Sequence, residues 1–228
     1  MQGNSKIMKE STGGAFEAMD RMYRLQRHCY DLTRKYYLLG RDKALLEVTK
    51  RRPRSVVEIG CGTARNLRIL AKHLPEATLF GVDASGVMLE KAEKKFKSTA
   101  KTRVRLAVAL AEDWDYQHTF KSEKPFDLCL FSYSLSMIPD WRKAIDNAFT
   151  NLDKNGAIII VDFWDQAELP KYFGKLLQWW LKKFGVEFRP ELLEYLEDLK
   201  NSDKCDLELI SVFRRYAFIA IVKPRGSR

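Results

Sequence analysis

The residues best placed for chemistry form one short run, Glu58-Ile59-Gly60-Cys61-Gly62-Thr63-Ala64, with Asp83 further on. Glycines at 60 and 62 let the backbone pass close to a ligand. A helix opening just after them would aim free N–H groups at it. The spacing begins as G-x-G-x-x-G, but Arg65 stands where the third glycine would be, which weakens a dinucleotide fingerprint. A Walker loop is excluded, because no Gly-Lys-Ser/Thr follows. Asp83 ends the next apolar run, a position from which a carboxylate can accept both hydroxyls of a ribose. The alternative for Asp83 is a local role beside a helix-capping Ser85.

These residues need a scaffold, and the surrounding pattern supplies one. SVVEIGCG (55–62), ATLFGVD (77–83), VRLAVAL (104–110), FDLCLFSY (126–133) and AIIIVDFW (157–164) read as strands. Helices are expected at 64–73, from Ser85 to about Lys97, and from Asp140 to Leu152, with a turn at Asn155-Gly156. Strands alternating with helices indicate a parallel sheet with helices on both faces, and near-continuous apolar strands agree with two covered faces. LELISVFRRYAFIAIVK (207–223) reads as an antiparallel hairpin at the sheet edge. Ahead of the sheet, Ala15 to Arg51 has helical spacing. Tyr36, Leu39, Leu45 and Leu46 lie in its second helix, which Arg52-Pro53-Arg54 ends.

Composition narrows the classes. The chain has 228 residues, with 40 Lys+Arg against 30 Asp+Glu, a net charge of +10. Such an excess asks for an anionic partner. Cys29, Cys61, Cys129 and Cys205 form no CxxC pair and have no ligand spacing to His28, His73 or His118, so no metal site is expected. Dispersed cysteines fit a reducing compartment. Residues 1–20 lack the apolar region of a signal peptide, and apolar runs such as AIIIV fall far short of a membrane span. We expect a flexible N-terminus over 1–14 and one domain over 15–225. Its parts are a helical lid at 15–51, a cofactor-binding core at 54–163 and a helical acceptor or membrane-contact insertion at 165–200.

VVEIGCGTARNL (56–67), FGVDAS (80–85), ALAEDWD (109–115), FDLCLFSYSLSMIPDW (126–141) and LDKNGAIIIVDF (152–163), taken together and in this order, resemble the class I S-adenosylmethionine-dependent methyltransferases. The resemblance implies an α/β, Rossmann-like, seven-stranded sheet whose last strand is antiparallel, with S-adenosyl-L-methionine as cofactor. It implies that Gly60 and Gly62 lie against the methionine part, that Glu58 orients that end, and that Asp83 and Ala84 meet the ribose. Ala111 and Glu112 would border the adenine, with Trp114 near it or in the core. Ser132 and Tyr133 would face the transferable methyl. Leu110 stands where the family often has an acidic residue.

Two stretches outside that core bear on the acceptor. From Met19 to Asp42, tyrosine and arginine recur at helical steps: Tyr23, Arg27 and Tyr30 share a face, and Arg34, Tyr37 and Arg41 continue the spacing. Tyrosine rings can surround an amine, and arginines can grip a carboxylate. Tyr23, Arg27 and Tyr30 are therefore catalytic candidates and Arg24, Tyr37 and Arg41 substrate-binding candidates; the methyltransferase resemblance adds Tyr133 to the first set, and Arg215 near the C-terminal hairpin is expected in the second. In Lys171–Phe184 the lysines share one helical face and Trp179, Trp180 and Phe184 lie off it, the pattern of a helix resting on an anionic membrane surface. MDRMYRLQRHCYDLTRKYYLLGRD (19–42) with FSYSLSMIPDW (131–141) is similar to the bacterial betaine-lipid N-methyltransferases, which methylate diacylglyceryl homoserine three times. That resemblance implies a cytoplasmic protein bound peripherally to the inner face of the membrane. Another phospholipid amine, or a soluble one, is the alternative acceptor. Nucleic acid is not expected as a partner, because Ser132-Tyr133-Ser134-Leu135 replaces the Asn/Asp-Pro-Pro-aromatic motif of nucleic-acid amino-methyltransferases. Oligomeric state is not read from the sequence.

Overall fold

β1 (Ser55–Ile59) forms because a β-branched, apolar run has a strand available on each side and cover on both faces. A computed structural model describes residues 38–96, 103–168 and 189–225. Within them β1 pairs in parallel with β2 (Thr78–Asp83) and β4 (Phe126–Ser132). β2 carries β3 (Val104–Val108), and β4 carries β5 (Leu152–Phe163), again in parallel. β7 (Ala217–Pro224) runs antiparallel between β5 and β6 (Cys205–Val212). The order is β3-β2-β1-β4-β5-β7-β6, a seven-stranded, mostly parallel, Rossmann-like sheet with an antiparallel C-terminal hairpin. β1 is thus near the middle, and every parallel strand ends on the same edge, where the chain order reverses beside β1.

The described helices are α1 (Arg41–Lys50), α2 (Arg65–His73), α3 (Gly86–Lys95), α4 (Trp141–Thr150) and α5 (Pro190–Asn201). They help enclose two cores. One contains Leu45 and Val48 of α1 with Leu67 and Leu70 of α2, and the other Ile145 of α4 with Leu196 of α5. The Ser85 hydroxyl accepts the Met88 N–H at 3.4 Å and caps α3, as its residue type predicts.

Three local expectations change. Leu39 is outside α1, which begins at Arg41 after Gly40, a left-handed residue with φ 85. A Cβ on Gly40 would stand 2.9 Å from Val212, so packing against β6 forces the chain to turn there. Asn155-Gly156 is not a free turn before β5. The strand starts at Leu152, and residues 153–156 bulge out between its pairings with Phe126 and Leu128. β3 ends at Val108, short of the expected Leu110. The Tyr/Arg stretch before Leu38, with Tyr23, Arg24, Arg27, Tyr30 and Tyr37, lies outside the described residues, as does Lys171–Phe184.

One polar brace positions the loop that follows β3. Asn151 is buried, and its side-chain oxygen accepts the Tyr116 N–H at 2.9 Å. Its amide nitrogen donates to the Trp114 carbonyl at 3.2 Å, and Asn147 donates to the same carbonyl at 2.9 Å. Asn151→Ala leaves buried loop groups unpaired. It should lower the unfolding free energy by about 1–3 kcal/mol, read from the urea midpoint.

Candidate active site

The loop between β1 and α2 is shaped by close approach. Gly60 has φ 72, and a Cβ there would lie 2.6 Å from the Ser134 Cβ. Only glycine fits both the backbone angle and the gap. The Gly60 and Cys61 N–H groups donate to the Val82 carbonyl at 2.8 and 3.0 Å, so the loop is bound to the end of β2. Ala64 has φ 55 at the head of α2. Arg65, at the missing third glycine, instead reaches Asp42 of α1 at 3.1 Å.

Asp83 performs the local role left open for it. Its carboxylate accepts the Gly62 N–H at 2.7 Å and the Ser85 N–H at 2.9 Å, tying the glycine loop to the start of α3. Ala84 beside it is half-buried. The Ala109 N–H donates to the Asp83 carbonyl at 3.2 Å, which brings the segment leading to Ala111 and Glu112 alongside. Trp114 sits in the core reading of its two. Only 3% exposed, its ring packs with Phe126 at 5.8 Å and Phe120 at 6.4 Å, and its indole N–H donates to the Ala111 carbonyl.

Glu58 is the dominant electrostatic feature. It is 2% exposed within the central strand, and the Asn66 amide donates to its Oε1 at 2.7 Å. Its Oε2 has no hydrogen-bond partner among the described residues. Burial pushes its carboxyl up to about 8, against the Asn66 hydrogen bond and the charge of Arg41, while the Asp83 charge pushes the same way as burial. Arg41, a substrate candidate, is therefore within electrostatic reach of Glu58, and its Nε–H donates to the Leu38 carbonyl at 3.3 Å.

The other side of the site is the end of β4. Ser132 Oγ and Ser134 Oγ are buried with no hydrogen-bond partner among the described residues. Tyr133, expected to face the transferred methyl, turns instead into the core with φ 56. Its ring packs on Phe163 at 4.6 Å, and its hydroxyl donates to the Leu39 carbonyl. Tyr133 fastens the entry of α1 to the sheet; it is a positioning residue. Arg215, another substrate candidate, pairs with Asp165 and lies 4.7 Å over the Trp164 ring. It is on the same edge, at the turn between β6 and β7.

Several residues were missed in the sequence. Asp162, at the end of β5, accepts the Ser136 N–H at 3.1 Å and the Phe163 N–H at 2.8 Å. Burial raises its carboxyl to about 6, countered by those N–H groups and by Arg189. The signal that could have found it is a lone carboxylate in an apolar run, AIIIVDF. Asn66, Asn147 and Asn151 gave no such signal, because an asparagine on a helix reads as a solvated residue.

The donor set suits a sulfonium amino acid joined to a nucleoside. The uncrowded side of Gly62 admits a close ligand, Glu58 has a buried oxygen suited to an ammonium group, and Asp83 is a carboxylate at the end of the adjacent strand. Among the described residues no group of three His, Cys, Asp or Glu could hold a metal ion.

Comparison with known proteins fits this geometry. The family model described as a methyltransferase domain matches residues 51–207. A trans-aconitate 2-methyltransferase of Methylobacterium radiotolerans is 28% identical over 51% of this chain and 40% of its own length. A malonyl-[acyl-carrier protein] O-methyltransferase of a Paenibacillus species is 26% identical over 47% of this chain and 38% of its own. The chain thus matches less than half the length of these curated relatives. The solved plantazolicin methyltransferase BpumL, in complex with SAH, superposes with a TM-score of 0.67 at 13% identity, covering 96% of this chain and 100% of that one. At that identity the likeness concerns the fold.

Glu58→Gln tests the electrostatics. A carboxyl raised from 4.5 to about 8 favours the fold when protonated, so its stability contribution is present below pH 4.5 and lost as pH rises through 8. The variant's melting temperature should match the wild type near pH 4.5 and exceed it increasingly up to pH 8. Cofactor binding should show the opposite dependence. Wild-type affinity should rise about tenfold per pH unit until about 8, as the carboxylate forms, and the variant should be weak and flat by calorimetry.

Proposed function

The chain belongs to the methyltransferase-domain family, and from that premise we propose that it transfers methyl groups from S-adenosyl-L-methionine to the amine of diacylglyceryl homoserine, forming diacylglyceryl trimethylhomoserine. The observation that carries this reading is the Tyr/Arg stretch of residues 19–42, whose residue types suit a headgroup with an amine and a carboxylate. It is supported by where that stretch ends. Leu39 is held by the Tyr133 hydroxyl, and the Arg41 charge acts on Glu58. The Lys171–Phe184 segment is proposed to rest on the anionic inner face of the membrane, with no nucleic acid as partner, so that the acyl chains stay in the bilayer. Among the described residues no helix is long and apolar enough to cross a membrane.

The chemistry asks little acid–base help of the protein. The bound cofactor supplies a methyl group on a positively charged sulfur. The protein's part is to hold an unprotonated amine in line with that methyl and to keep water out. The Gly60 loop and Asp83 would fix the cofactor from the β1 and β2 side. Ser132 and Ser134 would line the opposite wall.

A second reading keeps the site and changes the acceptor. It is favoured by relatives named for trans-aconitate and malonyl-acyl carrier protein, and it covers a soluble small molecule, whether an amine or a carboxylate, as well as another phospholipid such as phosphatidylethanolamine. Methyl-labelled S-adenosylmethionine with diacylglyceryl homoserine in mixed micelles separates the two. The first reading expects label in the lipid fraction as mono-, di- and trimethylated forms. An unlabelled lipid beside labelled trans-aconitate or phosphatidylethanolamine would overturn it.

A further inference from the structure

Gln166 combines three features that packing alone does not require. It is 5% exposed, although it lies past the end of β5 in the chain leading to the acceptor insertion. Its backbone is left-handed at φ 58, a conformation uncommon for a non-glycine residue. Its surroundings are visible. The Gln166 N–H donates to the Arg215 carbonyl at 2.9 Å, the Trp164 N–H donates to the Tyr216 carbonyl at 3.0 Å, and the Arg215 side chain clamps Asp165. The β6–β7 turn thus straps this residue to the edge of the sheet where β4 and β5 end. Its side-chain oxygen, Oε1, is buried with no hydrogen-bond partner among the described residues.

The chemistry of that oxygen is specific. A serine hydroxyl can donate or accept, but an amide carbonyl oxygen only accepts. Left unpaired in a buried place it is unfavourable, so a ligand that brings an N–H or O–H to it gains affinity. A carboxylate acceptor, which has no hydrogen to give, does not. An amine does.

From this we infer that Gln166 positions the acceptor amine by taking one of its N–H hydrogens, so that the nitrogen lone pair is left pointing at the methyl. The inference rests on the amine-methylation reading and adds a consequence that depends on the step. In each transfer the lone pair forms the new N–C bond, and the methyl–sulfur bond breaks with its electron pair staying on sulfur. In the first and second transfers one N–H proton then leaves to water. A primary amine has two N–H groups and a secondary amine one, so either can meet Gln166. A tertiary amine has none, and the third transfer yields the quaternary ammonium with no proton lost. Gln166 therefore serves the first two methylations and not the third.

The test supplies unmethylated, monomethyl and dimethyl diacylglyceryl homoserine separately and measures kcat/KM for each. Gln166→Met keeps the length of the side chain and removes the acceptor oxygen. It should lower the first two values by about tenfold and leave the third within twofold. Gln166→Glu, which keeps an acceptor oxygen, should preserve the wild-type ratio among the three steps. It also provides a folded variant if the methionine form is unstable. An equal fall in all three steps for Gln166→Met would assign the residue to structure alone and overturn the inference, as would no fall in any. If the wild type methylates a different amine with the expected step pattern, the inference stands and the lipid reading fails. Methylation of a carboxylate oxygen would overturn both.

Discussion

A carboxylate in the middle of a dry sheet is the constraint that organises this molecule. Val56, Val57 and Ile59 are fully buried in β1, and Glu58 shares their strand with a neighbour strand on each side. Leaving an ionised carboxylate there is expensive, and the fold answers by holding its proton. The groups that moderate this come from different elements: Asn66 from α2 and Arg41 from α1. Satisfying Glu58 therefore also fixes the start of α2 and the entry of α1 around the Gly60 loop. The geometry of the loop and the electrostatics of the strand are one problem with one solution.

A second buried carboxylate, Asp162, stands on β5 beyond β4 and on the opposite face of the sheet. Between β1 and β5 the segment Ser132–Ser136 is confined from both sides. Gly60 leaves only enough room for Ser134, and Asp162 holds the Ser136 N–H. With both ends fixed, the left-handed turn at Tyr133 decides what the segment shows. The tyrosine ring goes into the core beside Phe163, and the short serine side chains on either side have hydroxyls without a hydrogen-bond partner among the described residues. Tyr133 thereby links the end of β4 to Leu39, just ahead of α1.

Much of this was legible in the sequence, and the limits of legibility have physical causes. The strands, their parallel pairing and the glycine loop follow from period and turn chemistry, which are local. Asp83 was visible because a carboxylate at a strand end has few roles. Tyr133 and Trp114 were not readable in the same way, because an aromatic with a polar tip serves equally as a ligand wall or as a core brick, and tertiary packing chooses. The start of α1 was misplaced for a related reason. Gly40 turns left-handed just before α1, where a Cβ would crowd Val212 of β6, a constraint that no local pattern reports. The bulge in β5 looked like a turn because residues that favour turns also favour bulges.

The positive charge looks different once its positions are known. Arg41 acts on Glu58, Arg189 on Asp162, and Arg215 pairs with Asp165, all where the parallel strands end. At this edge the arginines offset carboxylates that the sheet has buried or half-buried, so they do not amount to a bare anion-binding patch. The net charge of +10 is a sum over the chain and does not reveal this local cancellation. Near the ends of β4 and β5 several oxygens are buried without a hydrogen-bond partner among the described residues: the hydroxyls of Ser132 and Ser134 and the side-chain carbonyl of Gln166. Such oxygens can orient an N–H group but have little charge to spare for a carboxylate. If the acceptor carries both groups, its carboxylate must be recognised mainly by the arginines of the 19–37 stretch. The amine and the carboxylate would then be read by separate parts of the chain, the sheet edge fixing the reacting nitrogen and the N-terminal stretch selecting the headgroup that brings it.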